Sequence, residues 1–312
     1  MTAMTRDRSS VLIRVGVGVW VGLALLTATG TGPLTLLEVL FLLAPLVVVP
    51  LGRAVLRRFE PQLVIGARGS ALLQFAGALL VAASFWLPQG MPSAALVCGW
   101  LLSCCADALR ALWFFFRQPR LATASICFLV ATLYLSVGAV WLVLSRAGAT
   151  PMGFAEPIVL LTAVHFHYAG FATAVLAGAL VRTLAVHRPP PWVHGVAWMV
   201  LAGPALLALG FVLSDTLRFV FALWMVVSLW AFAGATLWAM EWIQPRKTRV
   251  LLTASAATVF LGMVLVAVYA TGEYLGEYWL LIPQMARWHG VVNGLGFALL
   301  GLLGWNCAEQ PL

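Results

Sequence analysis

The sequence predicts an all-α protein, a polytopic bundle of about ten transmembrane helices with both termini in the cytoplasm. Three observations carry this prediction. Of 312 residues, 63% are apolar and only 9% charged, where a water-soluble domain runs nearer half and a quarter. The mean hydropathy is +1.01. Apolar runs of about 20 residues, the length that crosses a hydrocarbon core, recur along the whole chain between separators of Gly, Pro and Arg. A soluble enzyme, a nucleic-acid-binding domain and a disordered protein are excluded, because each needs far more charge to face water.

In order, the segments are 11–29, 34–51, 69–87, 92–115, 121–145, 155–181, 192–213, 217–240, 250–271 and 284–305. The first follows Arg6, Arg8 and Arg14, as a signal peptide would. It is long enough to span, however, and the Ala28-Thr29-Gly30-Thr31-Gly32 stretch at its end has no clear small-x-small cleavage site, so it reads as a retained helix. Gly32-Pro33 closes the first connection, Pro88 to Pro92 the third, and Pro189-Pro190-Pro191 the sixth. No connection has room for a soluble domain, so residues 1–312 read as a single membrane domain.

The ten-segment division sorts the basic residues. Arg6, Arg8, Arg14, Arg53, Arg57, Arg58, Arg68, Arg110, Arg117, Arg120, Arg182, Arg188, Arg246, Lys247 and Arg249 fall on one side, and only Arg146, Arg218 and Arg287 on the other. An excess of Lys and Arg marks the cytoplasmic side, so 15 of the 18 basic residues place the termini inside. A missed or extra helix in the middle would scramble this split. The net charge of +8 is then loop charge facing an anionic leaflet, and the expected location is the cytoplasmic (inner) membrane of a bacterium. Trp86, Trp141, Trp192, Trp242, Trp279, Trp288 and Trp305 lie near segment ends, as interfacial belts require. The five cysteines show no CxxC spacing and read as core thiols.

Polar groups inside hydrocarbon are costly and are candidates for function by default. The sixth segment carries His165-Phe166-His167-Tyr168-Ala169-Gly170-Phe171. Two residues subtend about 200° on an α-helix, so His165 and His167 point apart unless the helix is broken there. The tenth segment carries His289, Asn293 and Gly296 at i, i+4 and i+7, one stripe able to meet a partner helix closely. Glu38 and Glu156 lie in the outer half. A polar cavity of Glu38, Glu156, His165, His167, Tyr168, His289 and Asn293 would bind a cation, a proton or a small solute, as in a transporter. The alternative is a metal ion or haem held by His165, His167 and His289 in a redox protein or enzyme. A third reading is an interhelical hydrogen-bond network in a structural or assembly protein. The partners expected are the lipid bilayer and a small solute or ion, with no nucleic acid. Asp107 and Arg110, at i and i+3, read as a local ion pair. HExxH, Walker A and GxSxG motifs do not occur, and five histidines are too few for a desaturase-type di-iron pattern.

His165-Phe-His-Tyr-Ala-Gly-Phe171, followed by His289-Gly-x-x-Asn293-x-x-Gly296-Phe297, resembles the YndJ-like family of bacterial membrane proteins. The resemblance is carried by the sixth to tenth segments. It implies a multi-pass inner-membrane protein and singles out His165, His167, Tyr168, His289 and Asn293; it implies no reaction.

Overall fold

A computed structural model describes residues 3–63, 69–118 and 122–309. Arg68 and Arg120 of the charge count lie outside the described residues. The helices are α1 (Ala3–Ala28), α2 (Leu36–Leu43), α3 (Val49–Phe59), α4 (Gly69–Ser84), α5 (Met91–Phe115), α6 (Thr123–Ala147), α7 (Ile158–His165), α8 (Thr173–Leu184), α9 (Pro191–Leu213), α10 (Asp215–Trp238), α11 (Arg246–Leu275), α12 (Ile282–Met285) and α13 (Leu300–Cys307). The described residues contain no strand. Among them, nine helical stretches have the length and composition to cross a membrane. They match nine of the ten segments read from the sequence.

The remaining segment, 69–87, forms only the 16-residue α4, about 24 Å long against a core of about 30 Å. Its end is fixed by a cation. Arg146 donates to the carbonyls of Ser84 at 3.0 Å and Leu87 at 2.8 Å, and its guanidinium lies over the Phe85 ring. A positive charge on the last carbonyls of a helix satisfies them and its dipole together.

Local chemistry sets the other ends. Pro92 and Pro191 stand in the first turns of α5 and α9, where a missing N–H costs nothing. The Ser214 hydroxyl accepts from the Leu217 N–H and caps α10. α11 ends on Gly276 at φ 73°, a left-handed conformation suited to glycine, with the Glu277 N–H reaching back to the Gly272 carbonyl.

The described helices form two compact units. Residues Met1–Leu121 with Phe128–Ala172 make the first, and Ala122–Cys127 with Thr173–Leu312 the second. In the second, neighbours in sequence are neighbours in space, α8 with α9, α9 with α10 and α10 with α11, and the last span packs on α11. The centre of the first unit is Leu36–Phe59, nearly all of whose apolar stretch is buried.

That central span is broken by a π-helical turn, Ala44–Val48. Pro45 has no N–H, and the Ala44 N–H bonds to Phe41, three residues back. The Val49 N–H reaches Ala44, five residues back. Carbonyls that a continuous helix would consume are left over, and hydrocarbon does not tolerate them unpaired. Donors from other helices meet the two stranded here, Leu40 and Pro45, and one more reaches Val39. Trp20 Nε1 bonds to the Val39 carbonyl at 2.9 Å, the Tyr168 hydroxyl to Leu40 at 2.7 Å, and Gln74 Nε2 to Pro45 at 3.0 Å.

Candidate functional site

The HFHYAGF motif does not continue the α-helix of its span. Phe166–Ala172 is π-helical, between α7 and α8. His165 and His167 point apart even so, His165 outward and His167 into the core. Each motif residue meets something different. His165 is exposed, and its Nδ1 bonds to the Leu161 carbonyl of its own helix at 2.7 Å. The Phe166 ring lies 5.6 Å from that of Tyr134. Tyr168 is the donor to Leu40 described above. Gly170 brings its backbone so near Tyr134 that a Cβ there would stand 2.8 Å from the Tyr134 Cβ. Phe171 packs on Gly52 of α3, where a Cβ would stand 2.6 Å from its ring.

His167 is the innermost of these, with 0% exposure. Trp100 Nε1 lies 3.1 Å from its Nε2, and the Ala163 carbonyl lies 2.8 Å from its Nδ1. An indole N–H only donates and a carbonyl only accepts. Nε2 is therefore the acceptor and Nδ1 carries the proton, which fixes a neutral tautomer. The Phe41 ring meets the imidazole edge-on at 5.2 Å, and Gly138 of α6 leaves room for Nδ1, 2.7 Å from where a Cβ would be. Both ring nitrogens are occupied. A proton, a metal ion or a haem iron arriving at Nε2 would have to displace Trp100.

The carboxylates are engaged at helix starts. Glu38 closes a capping box at the start of α2, its Oε2 accepting from the Thr35 N–H at 2.7 Å and the Thr35 hydroxyl at 2.9 Å. Glu156 accepts from the Ser145 hydroxyl at 2.5 Å, from Gln89 Nε2 at 3.4 Å and from the Leu160 N–H at 3.2 Å. Within the first unit Glu38, Glu156, His165, His167 and Tyr168 thus each hold separate hydrogen-bond partners, while Glu38 and Glu156 both attract the Arg146 guanidinium.

His289 and Asn293 belong to the second unit, and these two are brought together. Their segment is π-helical over Ala286–Gly290 and Val292–Leu299. His289 Nδ1 faces the Gly262 carbonyl of α11 at 3.1 Å. Asn293 Nδ2 stands 2.9 Å from Nδ1 and 3.3 Å from Nε2 of His289. A Cβ on Gly262 would come within 2.5 Å of Asn293 Oδ1, and one on Gly296 within 2.7 Å of Thr258. The His289, Asn293 and Gly296 stripe meets α11 at close range through these glycines. The described residues hold no group of three His, Cys, Asp or Glu side chains placed to share a metal.

Sequence reasoning mispaired one acid and missed one tryptophan. Asp107 does not pair with Arg110. It binds Arg53, with Nε to Oδ2 at 2.9 Å and Nη2 to Oδ1 at 3.1 Å, both residues 3% exposed. Arg110 turns instead to the Gln62 carbonyl at 3.0 Å and lies over Trp113. A buried carboxylate needs two good donors, and a neighbour one turn away that reaches for the surface cannot supply them. Trp100 is fully buried, not interfacial. Its signal was its place, the tenth residue of a 25-residue helix and far from either belt. Trp305, read as interfacial, is also buried.

Apolar spans, interrupted helices and fully buried polar pairs define a multi-pass helical membrane protein. A family model described as YndJ-like protein matches residues 39–297, and the chain belongs to that family. The uncharacterized membrane protein YndJ of Bacillus subtilis (strain 168) is 31% identical over 191 residues, which cover 61% of this chain and 34% of that protein. The chain thus spans about a third of that relative's length. No solved structure matches.

Proposed function

We propose that the chain is a transporter-like protein of the bacterial inner membrane, moving a cation, a proton or a small solute. In this reading the two histidine motifs act as hydrogen-bonded joints of the moving helices, with His167, His289 and the carboxylates Glu38 and Glu156 as its candidate ion-responsive groups. The observation that carries it is the coincidence of both motifs with π-helical turns, Phe166–Ala172 in one and Ala286–Gly290 with Val292–Leu299 in the other, inside spans that begin and end as α-helix. Such turns concentrate at functional sites, and interrupted spans with re-satisfied backbone groups are how transporters build sites at membrane depth.

Both termini on the cytoplasmic side belong to the same proposal. Two of the three minority basic residues have work of their own, since Arg146 caps α4 and Arg218 pairs with Asp215 and Glu273. The majority is left to mark the cytoplasmic face.

The test is flux through liposomes reconstituted with the full chain and loaded with a pH-sensitive dye, under imposed proton, potassium and sodium gradients. Flux above that of protein-free liposomes, lowered by His167→Gln, is expected. Folded, monodisperse protein that leaves every gradient at the protein-free rate would overturn the reading for ions, and a solute-uptake panel at the same rate would overturn it for solutes. The structural or assembly reading has its own support in the complete pairing of His167, Tyr168 and Glu38. It gains from the same null result.

A further inference from the structure

The last turn of α3 carries a charge, on Arg57, that the described residues around it do not balance. Arg53 and Arg57 lie at i and i+4 on one face, and both line a narrow crevice with Gln74, Leu12, Ile13 and Phe75. Asp107 neutralises Arg53 through an ion pair and one hydrogen bond. Arg57 feels the repulsion of Arg53 and the attraction of the same Asp107, so three charges leave one net positive in the crevice. The dipole at the end of α3 accommodates a cation but supplies no acceptor for a five-donor fork.

We infer that this crevice binds the phosphate of an anionic phospholipid headgroup. Arg57 would make the bidentate contact, backed by the free edge of Arg53. A planar guanidinium fork matches phosphate oxygens, and a basic pocket between spans on the cytoplasmic side is suited to acidic headgroups. The apolar wall favours a lipid over free phosphate. Leu12, Ile13 and Phe75 line the same crevice as the two arginines, giving an acyl chain a surface beside the charge.

Native mass spectrometry of the full chain in detergent, delipidated and then given phosphatidylglycerol or phosphatidylethanolamine, tests this. Phosphatidylglycerol is retained preferentially, and Arg57→Gln lowers its retention about tenfold, the loss of one charge-assisted contact. Arg58→Gln, at the neighbouring position, leaves retention unchanged. Ala71→Leu fills the crevice without altering its charge and also lowers retention, which keeps the test open if Arg57→Gln does not fold. Equal retention of the two lipids, or Arg57→Gln and Ala71→Leu both binding like the wild type, overturns the site. Inorganic phosphate that competes as well as the lipid, mole for mole, overturns the lipid as its ligand.

Discussion

Asp107 holds Arg53 by both oxygens, at 2.9 and 3.1 Å, across 54 residues of sequence. The pair ties α5 to α3 where neither charge has water to turn to. Removing one partner strands the other, which costs about 3–5 kcal/mol, whereas replacing both by apolar side chains of similar volume is close to neutral. Asp107→Ala is therefore expected to lower the unfolding temperature in detergent sharply, and Arg53→Met with Asp107→Leu to restore most of the loss. A double variant as unstable as the single one would show that the pairing is not what Asp107 contributes.

Trp100 sets the tautomer of His167. Trp100→Phe keeps the ring and deletes the donor, leaving Nε2 unpaired in a dry core, at about 1–3 kcal/mol. Nitrogen NMR of labelled wild-type protein should show His167 neutral with its proton on Nδ1. A proton found on Nε2 would contradict the arrangement.

Glycines separate contact from propensity. Gly138→Ala places a methyl 2.7 Å from His167 Nδ1 and 3.0 Å from the Phe166 Cβ, and overpacking of this kind costs about 1–3 kcal/mol. Gly18→Ala in α1 meets nothing within 4 Å, and alanine favours the helix, so stability should hold or rise. Equal melting temperatures for the two variants would mean that α6 does not approach His167 so closely.

Glu38 divides structure from charge. Glutamine serves as well as glutamate at the third position of a capping box, so Glu38→Gln is expected to melt with the wild type while Glu38→Ala loses about 1 kcal/mol. If the liposome flux falls in Glu38→Gln at unchanged stability, the carboxylate takes part in transport. A Glu38→Ala variant as stable as the wild type would show the capping box to be unimportant.

The proposed orientation has a direct check. In a cysteine-free background, single cysteines at Gln89 and Met152 should react with an impermeant maleimide in intact cells. Cysteines at Arg117 and Arg188 should react only after permeabilisation. All four positions are exposed. The reverse pattern inverts the topology.

The spans were legible because hydropathy over about 20 residues is a property of the segment itself. The shortness of α4 was not, since it depends on Arg146 arriving from 62 residues away. The motif residues were legible as misplaced polarity, but their partners were not. Pairing with Trp100, Leu40 or Gly262 follows from which helices pack together, and no local spacing encodes that. The π turns escaped for another reason. They change the hydrogen-bonding register while keeping the residues apolar, so hydropathy passes over them. Pro45 was the one visible clue.

Pro45 also sets a difference between the interrupted spans. A π turn is one residue of slack in a hydrogen-bonded ladder, and it can glide along the helix like a dislocation through a crystal, each step exchanging one bond for the next. Gliding needs an N–H at every position. In Leu36–Phe59, Pro45 and Pro50 remove two of them, so the slack is pinned between prolines. Residues 158–187 and 284–307 contain no proline. There the slack can travel, and with it the angular setting of every side chain it passes.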